Sequence, residues 1–204
     1  MQLIILALLW IVWCLLHSLL IEEGGVLPIK SFCGGYFRYY RIFYIIFSFA
    51  SLLLPLYYYH CLSPIVFYTF QGNMLVIPIL LMSYGVVMIY FGCRDHDLSD
   101  FLGIYRARSG DDNMDEKNPR FCSTGILAQV RHPWYGGSLA LIWAVGSLSD
   151  VSLIVKVILS LYLFIGARIE EHRLLAKFGY KYARYCEGVP RFLPKLYRLK
   201  GGRK

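Results

Sequence analysis

The chain has 204 residues, of which 57% are hydrophobic, 17% aromatic and 17% charged, and its net charge is +8. A soluble domain is roughly 45–50% apolar and about 25% charged, so this balance is that of a membrane protein. The positive charge does not point to nucleic acid: no zinc-finger or RNA-binding signature accompanies it, and basic residues are expected on the cytoplasmic side of an inner-membrane protein.

Taken in order, the first apolar run is Leu3 to Ile21, interrupted only by His17 and Ser18. It has neither a basic n-region nor an A-x-A cleavage site, so a retained transmembrane helix is expected rather than a signal peptide. A second run covers Ile42–Tyr59, and a third covers Met74–Phe91 with Pro78 in its first turn, where a proline is least disruptive. Residues 93–130 read as a cytosolic loop with one short interfacial helix around Leu98–Tyr105. Two shorter apolar runs, Ser138–Leu148 and Val151–Ala167, flank Ser149-Asp150. They predict a tight helical hairpin that need not cross the bilayer fully, with a break at Gly146 and a new N-cap before Val151. From Glu170 to Cys186 the helix is expected to continue in amphipathic form. Leu174, Leu175, Phe178, Tyr182 and Tyr185 share one face, and Arg173, Lys177, Lys181 and Arg184 share another. Gly188 and Pro190 end it, and residues 195–204 form a basic tail.

The expected fold is therefore all-α: a single polytopic membrane domain over 1–204 with about five transmembrane helices. Three of these lie in 1–92, and the hairpin and C-terminal helix occupy 131–194. Lysine and arginine counts orient it. The segments 22–41, 92–137 and 168–204 hold 3, 6 and 11 of them, leaving Lys156 alone elsewhere. By that bias the N-terminus lies outside and the C-terminus in the cytosol. Arg131-His132 and Glu170-Glu171 then face the same side.

Charged and ring-bearing groups at a helix mouth are costly unless something uses them. Arg131 offers a planar fork for a carboxylate. Glu170 and Glu171 suit hydroxyls, an amino group or a cation, and Trp134 and Tyr135 offer aromatic faces. S-adenosylmethionine has a partner for each; so does a lipid headgroup with phosphate and amine. Arg131 snorkelling to phosphates and pairing with a glutamate to cap the hairpin is the plainer alternative.

Several motifs in series resemble the integral-membrane methyltransferases. They are Arg131-His132-Pro133-x-Tyr135-x-Gly137, then Glu170-Glu171-x-x-Leu174-x-x-x-Phe178-Gly179-x-x-Tyr182-x-x-Tyr185, then Val189-Pro190-Arg191-Phe192-Leu193-Pro194. That superfamily contains isoprenylcysteine carboxyl, phospholipid N- and methanethiol S-methyltransferases and the NnrU-type proteins. The match covers about the last 75 residues. Leu16-His17-Ser18-Leu19-Leu20 and Arg38-Tyr39-Tyr40-Arg41-x-x-Tyr44 look like the methanethiol and NnrU-type branch. The resemblance implies an S-adenosylmethionine-dependent enzyme with a cytosol-facing cofactor pocket. A small thiol or lipophilic acceptor would enter from the bilayer, with membrane lipid around it. It implies that His132, Pro133, Tyr135, Gly136, Glu170 and Tyr182 line the cofactor site, with Arg131 and Glu171 nearest the transferring methyl.

The soluble enzymes' G-x-G-x-G loop is absent, so no Rossmann domain is expected. A thiol acceptor must lose its proton, for which His132 or His17 could serve as base, although His17 reads first as a hydrogen-bonded helix-packing residue. The six cysteines are single and suggest neither zinc nor disulfides. Asp95-His96-Asp97 lacks a second ligand pair, so no metal is expected. The remaining alternatives are phospholipid or isoprenylcysteine methylation, and a non-catalytic lipid- or partner-binding protein of the same fold.

Overall fold

The computed structural model describes residues 1–21, 34–95, 121 and 123–194. Among these there are six α-helices: α1 (Gln2–Ile21), α2 (Tyr40–Cys61), α3 (Val76–Asp95), α4 (Pro133–Ala144), α5 (Asp150–Phe178) and α6 (Tyr180–Gly188). Two very short strands, β1 (Val66–Tyr68) and β2 (Leu148–Ser149), pair antiparallel. The interfacial helix expected near Leu98–Tyr105, His96-Asp97, most of the 93–130 loop and the basic tail lie outside the described residues.

Four apolar helical stretches are long enough to cross a membrane: Gln2–Leu20, Tyr36–Cys61, Gly72–Arg94 and Asp150–Phe178. The fold is all-α and polytopic. The fourth expected run, Ser138–Leu148, forms only the 12-residue α4. At 1.5 Å per residue this is about 18 Å, short of the roughly 30 Å hydrocarbon core. The hairpin is thus asymmetric, because α5 runs unbroken for 29 residues. Its start is capped as its sequence predicts. Ser149 and Ser152 exchange side-chain bonds with each other's backbone N–H (3.1 and 2.8 Å), and Asp150 Oδ1 accepts from the N–H of Val151.

The described chain forms two compact units, and α5 contributes its residues through Leu159 to the first and the remainder to the second. In the first unit, Leu6 and Trp10 of α1 pack with Val151 and Val155 of α5, backed by Leu52 and Leu56 of α2. His17 joins α1 to α2. Its ring stacks on Trp13 at 5.1 Å, and the Tyr44 hydroxyl and Ser48 Oγ lie 3.0 and 3.3 Å from its nitrogens. The expectation of a hydrogen-bonded packing histidine holds. The β1–β2 pair is pinned by Asp150, which accepts from the Ile65 N–H at 2.9 Å and donates its own N–H to the Ile65 carbonyl.

In the second unit, α3 and α4 run antiparallel and in close contact. A methyl group built on Gly85 would fall 2.9 Å from the Gly137 carbonyl, and one on Gly137 would fall 3.0 Å from the Gly85 carbonyl. Paired small residues let helix backbones approach where lipid supplies no hydrophobic drive. Met88, Ile126 and Val130 form the core beside this contact.

The amphipathic continuation does not follow α5 directly. Gly179 takes φ +54°, ψ −131°, a backbone state essentially reserved for glycine, and so ends α5 and starts α6. Tyr182 is buried, whereas Leu175, expected on the same face, is about half exposed. The turn at Gly179 breaks the continuous stripe that a straight helix would have carried.

Candidate active site at the mouth of the short helix

Helix α4 opens with His132 as its N-cap and Pro133 in its first turn. Proline here loses no intrahelical bond, and its fixed φ sets the direction in which His132 leaves the helix. The preceding backbone is held from outside. The N–H of Arg131 donates to the Pro190 carbonyl at 2.9 Å, and that of His132 donates to the Arg191 carbonyl at 3.0 Å. The Tyr84 hydroxyl of α3 donates to the Phe192 carbonyl. Three consecutive carbonyls of the segment 189–194 are thereby bound, and the segment forms a strap across the helix mouth. Gly136 fits beneath it, since a Cβ there would meet the Phe192 carbonyl at 3.0 Å.

The last turns of α5 bring the acidic pair to this point. Arg131 Nη2 lies 3.0 Å from Glu171 Oε1, and His132 Nε2 lies 3.3 Å from the same oxygen. Glu170 Oε2 is 3.7 Å from His132 Nδ1, and the Tyr135 ring packs edge-on against the His132 ring with centroids 5.3 Å apart. Arg191 of the strap donates through Nε to Glu171 Oε1 at 3.0 Å and through Nη2 to Oε2. Arg131 Nη1 also donates to the Cys186 carbonyl at 2.9 Å, tying the end of α6 to the group. Arg131 Nε–H is buried with no hydrogen-bond acceptor among the described residues.

The electrostatics follow from burial. His132 is 3% exposed. Loss of water lowers its pKa below the ordinary 6.5, against the opposing pull of Glu170 and Glu171. Tyr182 is 2% exposed. Burial, with Cys186 and Glu171 nearby, drives its phenol well above the normal range. The hydrogen bond to Glu171 raises Arg191 further above its already high value. Burial thus favours the neutral imidazole of His132 and the neutral phenol of Tyr182.

The structure gathers Arg131, His132, Tyr135, Glu170 and Glu171 into one contacting cluster, and Tyr182 lies near enough to feel Glu171 and Arg131. Pro133 and Gly136 act through backbone, one starting the helix and the other seating the strap. Sequence reasoning passed over Arg191, Cys186 and Tyr84. Arg191 stood in a quoted motif, but nothing local shows which acid it meets.

No protein-family model and no solved structure matches the chain. Among curated proteins, methanethiol S-methyltransferase 1 of Bradyrhizobium diazoefficiens is 25% identical over 154 residues, covering 76% of this chain and 54% of the relative. The methanethiol S-methyltransferase of Pseudomonas sp. (strain GM41(2012)) is 27% identical over 130 residues, 64% of this chain and 49% of its own. That of Crocosphaera subtropica is 22% identical over 156 residues, or 76% and 60%. The chain therefore spans about half the length of the first two relatives. The matched proteins share the name methanethiol S-methyltransferase, and the chain is similar to them over as much as 76% of its length.

Proposed function

We propose that this protein is an S-adenosylmethionine-dependent membrane methyltransferase whose acceptor is a small thiol. The observation that carries the reading is the buried Arg131–His132–Glu171 cluster with the more open Glu170 beside it, in a chain whose relatives are named for methylating a thiol.

The donor set suits the cofactor. Arg131 Nε–H is a buried donor in want of an acceptor, as a carboxylate would supply. Glu170, 45% exposed, can accept from an amino group or ribose hydroxyls. His132, Tyr135 and Tyr182 provide ring faces against which a base or a sulfonium can rest. When bound, S-adenosylmethionine supplies an electrophilic methyl on a positive sulfur.

What remains for the protein is to bind, align and deprotonate. Alignment of acceptor and methyl supplies on the order of 7 kcal/mol or more in well-oriented cases. Arg131 and Glu170 fix the orientation of the cofactor. His132, held neutral by burial, can take the proton of a thiol that reaches it.

The same reading orients the chain with its N-terminus outside. The passage from α3 back to α5 then counts as a crossing, although α4 alone is too short. The pairing of Ser149 with Val66, in the connection between α2 and α3, supports that count.

The test is transfer of labelled methyl from S-adenosylmethionine by the purified protein to a panel of thiols, prenylcysteines and phospholipids. A methyl thioether formed from a small thiol is expected. Label appearing only in prenylcysteine ester or phospholipid would reassign the acceptor, and absence of both cofactor binding and transfer would remove the enzyme reading.

A further inference from the structure

Glu170 and Glu171 are neighbours in sequence with unlike surroundings. Glu171 is 13% exposed, and both its oxygens are taken. Arg131 Nη2, His132 Nε2 and Arg191 Nε converge on Oε1 at 3.0, 3.3 and 3.0 Å, while Arg191 Nη2 occupies Oε2. A carboxylate has about four lone-pair sites, so little capacity is left for a ligand. Among the described residues Glu170 meets His132 Nδ1 at 3.7 Å, and its side chain is 45% exposed. Arg191 makes the difference. Its planar fork matches the carboxylate of Glu171, and its own backbone is pinned through the carbonyl that accepts from His132.

We propose that Arg191 is a positioning residue: by occupying Glu171 it fixes Arg131 and His132 in their orientations and leaves Glu170 as the carboxylate that meets the cofactor. The proposal rests on the methyltransferase reading. It moves Glu171 from the place beside the transferring methyl, where the motif resemblance put it, into the scaffold. Arg191 lies beyond both the Arg131-His132 and the Glu170-Glu171 motifs, so the pocket is completed by the strap.

The physics supplies a readout that plain structural damage does not share. If Arg191 acts through Glu171, its loss should add little once Glu171 is already neutral, whereas independent effects would multiply. Four variants of the full chain in detergent are needed: Glu170→Gln, Glu171→Gln, Arg191→Gln and the double Glu171→Gln/Arg191→Gln. Affinity for S-adenosylmethionine is read by calorimetry, and KM and kcat by label transfer.

Glu170→Gln should weaken binding about tenfold or more, the effect of losing one charge-assisted bond. Arg191→Gln should raise KM for the cofactor about tenfold with a much smaller change in kcat. The double variant should bind about as Glu171→Gln alone does. If the losses in the double variant multiply, or if Glu170→Gln binds like wild type while Glu171→Gln does not, the proposal is overturned. Wild-type protein that binds no S-adenosylmethionine overturns the methyltransferase reading as well; wild-type binding with multiplying losses overturns this inference alone. Arg191→Lys keeps the charge and loses the fork, so it serves where Arg191→Gln does not give monodisperse protein. Wild-type affinity in that variant also overturns the proposal.

Discussion

His132 stands between two carboxylates, which favour its protonated form, and in a buried position, which disfavours it. Burial prevails, and its pKa lies below the ordinary 6.5. The neutral ring is the one able to accept a proton from a thiol, so kcat/KM should stay level above pH 6.5 and fall only on acidification below it. Stability should follow the same sign. A depressed folded value means the ring's contribution is complete above the unfolded value and is lost as pH falls through the folded one. A pH–rate profile of wild type and His132→Gln between pH 5 and 8 checks this. The acidic limb should shrink in the variant, and a limb centred above pH 7 would contradict the neutral assignment. At this scale the sequence was informative about residue types but silent about pairing. Arg131, His132 and the two glutamates could be named from their chemistry. That Arg191 and not a ligand would satisfy Glu171 depends on a contact across 20 residues and a turn.

At the scale of elements, the long apolar runs declared themselves, because 18 or more apolar residues admit few structures other than a spanning helix. The break before α5 was also legible, since Ser149, Asp150 and Ser152 carry cap chemistry in their side chains. The short α4 was legible as an apolar run but not in length. Its identity as a helix of 12 residues followed by an extended turn is set by β1, a partner in a distant connection. The α3–α4 contact gives the sharpest prediction. In Gly85→Ala the new Cβ would sit 2.6 Å from Leu141 Cγ and 2.9 Å from the Gly137 carbonyl, and backbone cannot yield as a side-chain tip can. A loss of about 1–3 kcal/mol is expected from overpacking, read as lowered thermal stability in detergent. Gly188→Ala, where a Cβ meets nothing within 4 Å, is the control and should change little. Equal stability of both variants would mean that the two helices are not packed through these glycines.

For the whole molecule the testable quantity is orientation. Cys61 ends α2 and is exposed, whereas Cys93 lies near the end of α3. With the N-terminus outside, Cys61 faces the exterior and Cys93 the cytosol. A membrane-impermeant maleimide added to intact cells should therefore label the protein, and Cys61→Ser should abolish that labelling. Labelling that survives Cys61→Ser and disappears with Cys93→Ser would invert the topology and move the cluster around Arg131 to the outer face. Charge counting could reach this question only because 20 of the 21 basic residues fall in three segments.

Gly179 has a consequence for how this protein can vary. Between it and Arg191 the chain makes one helix of nine residues and a short strap, with no slack at either end. Tyr185 is tethered to the Leu127 carbonyl at 2.5 Å on the way. Each residue inserted into α6 turns everything after it by about 100° and lifts it 1.5 Å. A single added alanine would thus carry Arg191 away from Glu171 while leaving every motif residue present. The interval from Gly179 to Arg191 behaves as a ruler. Substitutions along its outer face should be tolerated freely, but insertions and deletions should not, so its length is the more demanding specification.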